Sequence, residues 1–259
     1  MATSRISGDN RGYTQGDEGR PSHLSAEAIE ALFDRLAEAR PEPQGELTWV
    51  TPFTLLVAVV LSAQATDKSV NKATQPLFAV ADTPERLLAL GEDGVREYIR
   101  SIGLFNTKAR NLIALARTLV EEYGGEVPRE RAALEALPGV GRKTANVVLN
   151  IAFGEPTIAV DTHVLRVCNR TGLAPGRTPL AVERGLDAVV PPARRRHAHH
   201  WLILHGRYVC KISKARRDRG ASGRPPPHAF PFPPRLPREN RMTVLDSRSA
   251  RFDQARARG

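Results

Sequence analysis

The stretch Leu137-Pro-Gly-Val-Gly-Arg-Lys-Thr144 sets the tightest limit on what this chain can fold into. Gly139 and Gly141 allow positive φ and leave no side chain between the backbone and whatever approaches it. A short helix is expected around Arg131–Ala136 and a longer one from about Arg142 to Phe153, so the glycines form the turn between two helices. The second helix starts in that turn, and its free N–H groups and positive dipole end point outwards, where a phosphate can sit. Nucleotide-binding loops are excluded. A dinucleotide fingerprint needs a third glycine and a preceding strand, and a P-loop needs Gly-x-x-x-x-Gly-Lys; neither is present. On Gly-x-Gly alone a plain corner between helices competes evenly with an anion site; among ligand-binding readings, a clamp on a nucleic-acid phosphate fits best.

The rest of the chain reads as a string of short helices. Ile29, Leu32, Phe33 and Leu36 recur at i, i+3, i+4 and i+7, and that helix ends near Pro41. Thr51-Pro52 supplies an N-cap and a first-turn proline for an apolar helix through Leu61, and Thr83-Pro84 repeats the signal ahead of Leu87, Leu88 and Leu90. Leu112, Ile113, Leu115, Ala116 and Leu119 carry the next helix, which Gly124-Gly125 closes. Further helices are expected from near Asp161 and over roughly 198–208. No sustained period-2 alternation occurs, so the expected class is all-α. Residues 1–23, rich in Gly, Ser, Asp and Arg, read as a disordered arm. Residues 212–259 hold 7 of the 20 prolines and no periodicity, and read as a disordered Arg/Pro-rich tail.

Charge is informative only by its location. The net +10 suggests a nucleic-acid partner, but the tail contains 12 of the 38 Lys and Arg and 4 of the 28 Asp and Glu, leaving +2 over residues 1–211. Local residues must therefore identify what the body binds. No run reaches the roughly 18 apolar residues of a membrane helix, and the first twenty-odd residues lack an apolar signal core. Two cysteines, Cys168 and Cys210, do not make a disulfide scaffold, and a cytoplasmic setting without membrane contact fits best.

Five segments, in order, resemble the endonuclease III family of helix-hairpin-helix DNA glycosylases. They are Leu61-Ser-Ala-Gln-Ala-Thr-Asp67, Ile102-Gly-Leu-Phe-Asn-Thr-Lys108, the turn and helix Leu137–Val148, Thr157-Ile-Ala-Val-Asp-Thr-His163, and His200-Trp-Leu-Ile-Leu-His-Gly-Arg-Tyr208. The resemblance runs from about residue 24 to 211. It implies a two-lobed helix-hairpin-helix fold, with residues 45–154 as one lobe and 24–44 together with 155–211 as the other. It also implies a monomer acting on double-stranded DNA that carries oxidised bases or abasic sites. The implied activity is excision of oxidised pyrimidines such as thymine glycol, followed by strand nicking.

The resemblance makes Lys143 the nucleophile that forms an imine with the sugar C1′, and Asp161 the carboxylate that assists it and stabilises charge developing on the sugar. A lysine of ordinary pKa costs about 4.6 kcal/mol to deprotonate at neutral pH. A helix N-terminus supplies only roughly 0.3–1 kcal/mol of that, so burial or a proton-accepting partner must supply the rest. Asp161 is also a natural N-cap. By the same resemblance Gln64 and Leu104 fill the hole left by an extruded base. Gly139, Gly141, Arg142 and Thr144 hold the DNA backbone, and Asp67 and His163 lie near the pocket. On their own, Gln64 reads as a polar helix end and Leu104 as a core leucine. Histidines 197, 199, 200 and 205 suggest zinc, but no carboxylate or cysteine pattern completes a site, and the stretch resembles a structural helix of the family.

The resemblance fails after Cys210. The family pattern Cys-x6-Cys-x2-Cys-x5-Cys binds a [4Fe–4S] cluster; Cys210 matches its first ligand, while Arg217, Gly220 and Pro226 stand at the other three positions. No stable cluster is expected in this sequence. The abrupt change points either to a shifted reading frame or to a natural cluster-free variant, with the tail arginines offering salt-sensitive DNA affinity. Two rival functions stay open: a monofunctional glycosylase, which generally lacks a lysine at the position of Lys143, and a noncatalytic helix-hairpin-helix binding protein.

Overall fold

The computed structural model describes residues 22–211, which form ten α-helices with no strand among them. They are α1 (Ala26–Ala39), α2 (Pro52–Leu61), α3 (Asp67–Val80), α4 (Pro84–Ile99), α5 (Phe105–Tyr123), α6 (Arg131–Ala136), α7 (Arg142–Phe153), α8 (Thr162–Thr171), α9 (Pro179–Val189) and α10 (Arg195–Leu204). A 3₁₀ turn, Pro192–Arg194, precedes α10, and a π-helical turn, His205–Val209, continues it. The expected tail, and all of the expected arm except Ser22 and His23, lie outside the described residues. Those two are anchored: the Ser22 hydroxyl and the His23 amide both donate to the Gly172 carbonyl, at 3.2 and 2.8 Å.

Capping residues place most of the helix starts. Thr51, Thr66, Thr83 and Thr178 each accept from a backbone N–H of the first turn, and Thr51 and Thr54 cap each other reciprocally. Helix α2 is buried from Phe53 to Leu61, so it is the axis against which α3, α5 and α7 pack. Around it Leu56, Val70, Leu77, Leu112, Leu119, Leu134 and Val148 form one continuous core spanning α2–α7. The remaining helices gather on α10, with α1 and α8 packed directly on it and α9 on α8. Trp201 of α10 faces Phe33 of α1 at 6.2 Å between ring centres and donates its indole N–H to the Arg40 carbonyl at 2.8 Å. Leu55, Val59, Val147 and Ala159 join the first group to the segment leading into α8. The start of α8 is thereby seated beside the start of α7.

Helices α3 and α9 were not expected from the sequence, and α4 is interrupted at Gly91, which has φ +71°. The expected helix over 198–208 is instead α10 from Arg195 plus the π-helical turn.

Candidate active site

A cleft of about 440 Å³ lies where five segments meet. Its lining comes from the loop after α2 (Ser62 to Ala65) with Asp67, the first turn of α7 (Lys143, Thr144), the start of α8 (Val160 to His163), Pro179 of α9, and Arg207 of the π-helical turn. Lys143 and Asp161 thus open into one cavity from the N-termini of two helices.

The hairpin turn is built on one glycine rather than two. Gly139 has φ +79°, and a Cβ there would stand 3.1 Å from the Asn111 side chain. Gly141, which could also have taken positive φ, is extended, with φ −103°. Nothing stands within 4 Å of where a Gly141 Cβ would be, and the first amides of α7 have no partner within the helix. Arg142 follows but turns inward. Its guanidinium forks onto Glu183 of α9 with N–O distances of 2.9–3.1 Å and lies 3.7 Å from Glu135. The Glu183 side chain is only 6% exposed, so this pair locks α7 to α9. The resemblance implies a DNA contact for Arg142; in the structure its Nε and one Nη bond Glu183, and its side chain is 40% exposed.

Lys143 presents solvent-exposed surface, yet its ammonium stands deep in the cleft with protein on most sides. That desolvation lowers its pKa from the ordinary lysine value, against the opposing fields of Asp161 and Asp67, and Arg207 lowers it further. Lys143 makes no hydrogen bond or ion pair with any described residue, so the amine is not held by a competing acceptor. Asp161 caps α8: its Oδ1 accepts from the His163 and Val164 amides at 2.9 and 2.8 Å. The segment before it is pinned from behind. Asn150 donates to the Glu155 and Thr157 carbonyls, and the buried His199 ring lies 2.6 Å from the Ala159 carbonyl through Nδ1, which must be the donor.

Asp67, at the start of α3, is bonded to Arg207 at 2.7 Å, and Arg207 also reaches Glu46 at 2.5 Å. Sequence reasoning named Asp67 but missed Arg207 and Glu46. Gly206 permits the close seating of this turn, since a Cβ there would come within 2.8 Å of His163. Arg166 donates to the Gly206 carbonyl and to His163 Nδ1, which leaves the His163 proton on Nε2.

Gln64 and Leu104 share a feature that no sequence pattern marks. They are the two non-glycine residues with positive φ among the described residues, at +55° and +61°. Such backbone costs about 1–2 kcal/mol and persists only where the surroundings hold it. Leu104 is 61% exposed, which sets aside the core-leucine reading. Between the two loops lies Lys108, another residue the sequence did not single out for a role. It is buried and donates to the Leu61 and Ala63 carbonyls.

The residues present do not fit a [4Fe–4S] cluster. The chain has two cysteines; Cys168 is buried on α8 with its thiol pKa pushed up by burial, and Cys210 Sγ accepts a hydrogen bond from Arg170 at 3.3 Å. Among the described residues no three His, Cys, Asp or Glu are grouped to hold a metal ion.

Comparison with known proteins agrees with this geometry. Residues 57–192 match the family of HhH-GPD superfamily base excision DNA repair proteins. Over 193 residues the chain is 61% identical to endonuclease III of Treponema pallidum, covering 74% of this chain and 92% of that one. Identity to endonuclease III of Escherichia coli strain K12 is 60% over 185 residues, 71% of this chain and 88% of that one. The fold matches a trapped endonuclease III–DNA covalent intermediate with a TM-score of 0.69 and 47% identity, covering 73% of this chain and 89% of that one.

Proposed function

Because the chain belongs to the endonuclease III family of the HhH-GPD superfamily, and is a DNA glycosylase and abasic-site lyase, we propose that Lys143 is its nucleophile and Asp161 its charge partner. The carrying observation is that both open into one cleft while Lys143 stands unpaired with a lowered pKa. DNA is the partner. The proposed substrate is double-stranded DNA bearing an oxidised pyrimidine or an abasic site, bound by a monomer in a cytoplasmic, nucleoid-associated setting. The α2–α7 group corresponds to a lobe over 45–154, and α1 with α8–α10 to a lobe over 24–44 and 155–211, with DNA lying across the cleft between them.

In the proposed reaction the neutral Lys143 amine forms a bond to C1′ as the N-glycosidic bond breaks and the base leaves with its electron pair. Asp161 stabilises the positive charge that develops on the sugar. Opening of the sugar ring gives an imine, and loss of a C2′ proton expels the 3′ phosphate. Gln64 and Leu104 occupy the space of the extruded base, and the Gly139–Gly141 turn with Thr144 receives the backbone phosphates. Arg142 supports this surface through Glu183. No step uses a metal, and we propose that the chain carries no iron–sulfur cluster, since two cysteines cannot supply four ligands.

Borohydride reduction during turnover of a duplex with one thymine glycol tests the assignment. A covalent protein–DNA band is expected, and Lys143→Ala should abolish it. A band that survives in Lys143→Ala overturns the nucleophile; base release without any band or nick overturns the imine route.

A further inference from the structure

The buried ammonium of Lys108 joins the two strained loops that the site assignment leaves separate. Its Nζ donates to the Leu61 carbonyl at 2.9 Å and to the Ala63 carbonyl at 2.8 Å. Leu61 is the last residue of α2, and Ala63 immediately precedes Gln64. At its other end Lys108 belongs to the first turn of α5, where its amide donates to the carbonyl of Leu104 at 3.0 Å. A short path therefore runs from Gln64 through Ala63 and Lys108 to Leu104, with a left-handed, non-glycine residue at each end.

We propose that Lys108 is a positioning residue that clamps the Gln64 loop to the Leu104 turn, so that both are presented to the duplex as one rigid unit. This rests on the reading of Gln64 and Leu104 as the residues that replace an extruded base. The burial of the charge favours the clamp over a plain helix cap. An exposed lysine satisfies a helix C-terminus without losing its hydration, whereas Lys108 is 6% exposed and pairs with no described carboxylate. Desolvation accordingly lowers its pKa, while carbonyls from the end of α2 and the start of the Gln64 loop replace water. Filling a gap in a base stack requires two side chains at a fixed separation, and two independently moving loops would lose that registry.

The clamp predicts a selective defect. Opening a paired lesion depends on the two loops, while a preformed abasic site has no base to unstack. Single-turnover rates of the full chain are compared on a duplex with one thymine glycol and on the same duplex with an abasic site. Lys108→Met should lose at least about tenfold more rate on the paired lesion than on the abasic site. It should also lose the fluorescence rise of a 2-aminopurine placed beside the lesion, and Lys108→Arg, which keeps a donor, should restore both. An unchanged ratio, or an equal fall on both substrates in folded Lys108→Met, overturns the clamp. If Lys108→Met does not fold, Lys108→Gln reads the same ratio: an intermediate value supports the clamp and the unmutated ratio overturns it. Imine trapping by the unmutated chain on the abasic duplex keeps the two readings apart. Its failure removes the proposed function, whereas success with no selectivity in the variants removes only the clamp.

Discussion

Asp161 does two things that a single substitution separates. Its Oδ1 caps α8 through two backbone amides, and its charge raises the pKa of Lys143 against desolvation. Asn caps nearly as well as Asp, so Asp161→Asn should keep the fold, with a stability change within about 0.5 kcal/mol. Without the charge that stabilises the sugar cation, base excision should fall by about 100-fold or more. The lyase pH profile should move in a specified direction. A neighbouring carboxylate favours the ammonium, so its removal favours the neutral amine, and the rising limb of imine formation on an abasic duplex should shift to lower pH. A limb that stays in place would mean that Asp161 does not act on Lys143. The helix starts that carry Lys143 and Asp161 were legible in the sequence, from the glycine turn before one and the capping aspartate of the other. The left-handed backbone at Gln64 and Leu104 was not, since nothing in a glutamine or leucine announces positive φ. The pairings of Lys108 with Leu61 and of Arg207 with Asp67 span 47 and 140 residues and leave no local pattern.

Among the elements, α10 and the turn after it are the acid-sensitive part. Burial holds His200 and His205 at pKa values of about 4 and pushes His199 well below its ordinary value. In the unfolded chain these groups titrate near 6.5, so between about pH 6.5 and 4 the unfolded state binds more protons than the folded one. Stability therefore falls as pH drops through that window and recovers above it. Thermal melts from pH 7 to 4.5 should show a declining Tm, with amides of α10 and of Ala159–Asp161 losing exchange protection first, because His199 bonds the Ala159 carbonyl. A flat Tm over this range would contradict neutral burial of the histidines. The helix pattern shows what sequence can reveal at this scale. α1, α2, α5, α6 and α7 were readable from apolar spacing and caps. α3 was not, because its buried stripe is only Val70, Ala73, Thr74 and Leu77 and Pro76 reads as a breaker. α9 carries the same Thr-Pro start as α2 and α4, so its start signal is present in the sequence.

For the whole molecule, the basic charge is concentrated beyond residue 211, with +10 overall and +2 over residues 1–211. Cys210 matches only the first of the four cluster ligands, and protein groups surround it: Arg166 donates to the Cys210 carbonyl, and Arg170 to Cys210 Sγ and to the Lys211 carbonyl. The purified chain is therefore expected to contain no stoichiometric iron, to show no iron–sulfur absorbance, and to keep its melting temperature in the presence of a chelator. Four irons per chain would overturn the cluster-free reading. The pairing of α1 with α10 has a consequence in time. Trp201 is tied to Arg40 across 161 residues, and Arg194 to Asp34 across 160. At ribosomal rates of about 5–20 residues per second, α1 waits roughly 8–30 s after emerging for the helix it packs against. Arg207, which closes the cleft against Asp67, follows only after that. A copy translated as far as α7 therefore has the Gly139–Gly141 turn before it has a complete cleft, and on the proposed mechanism the power to break a DNA strand arrives only once the His205–Val209 turn is made.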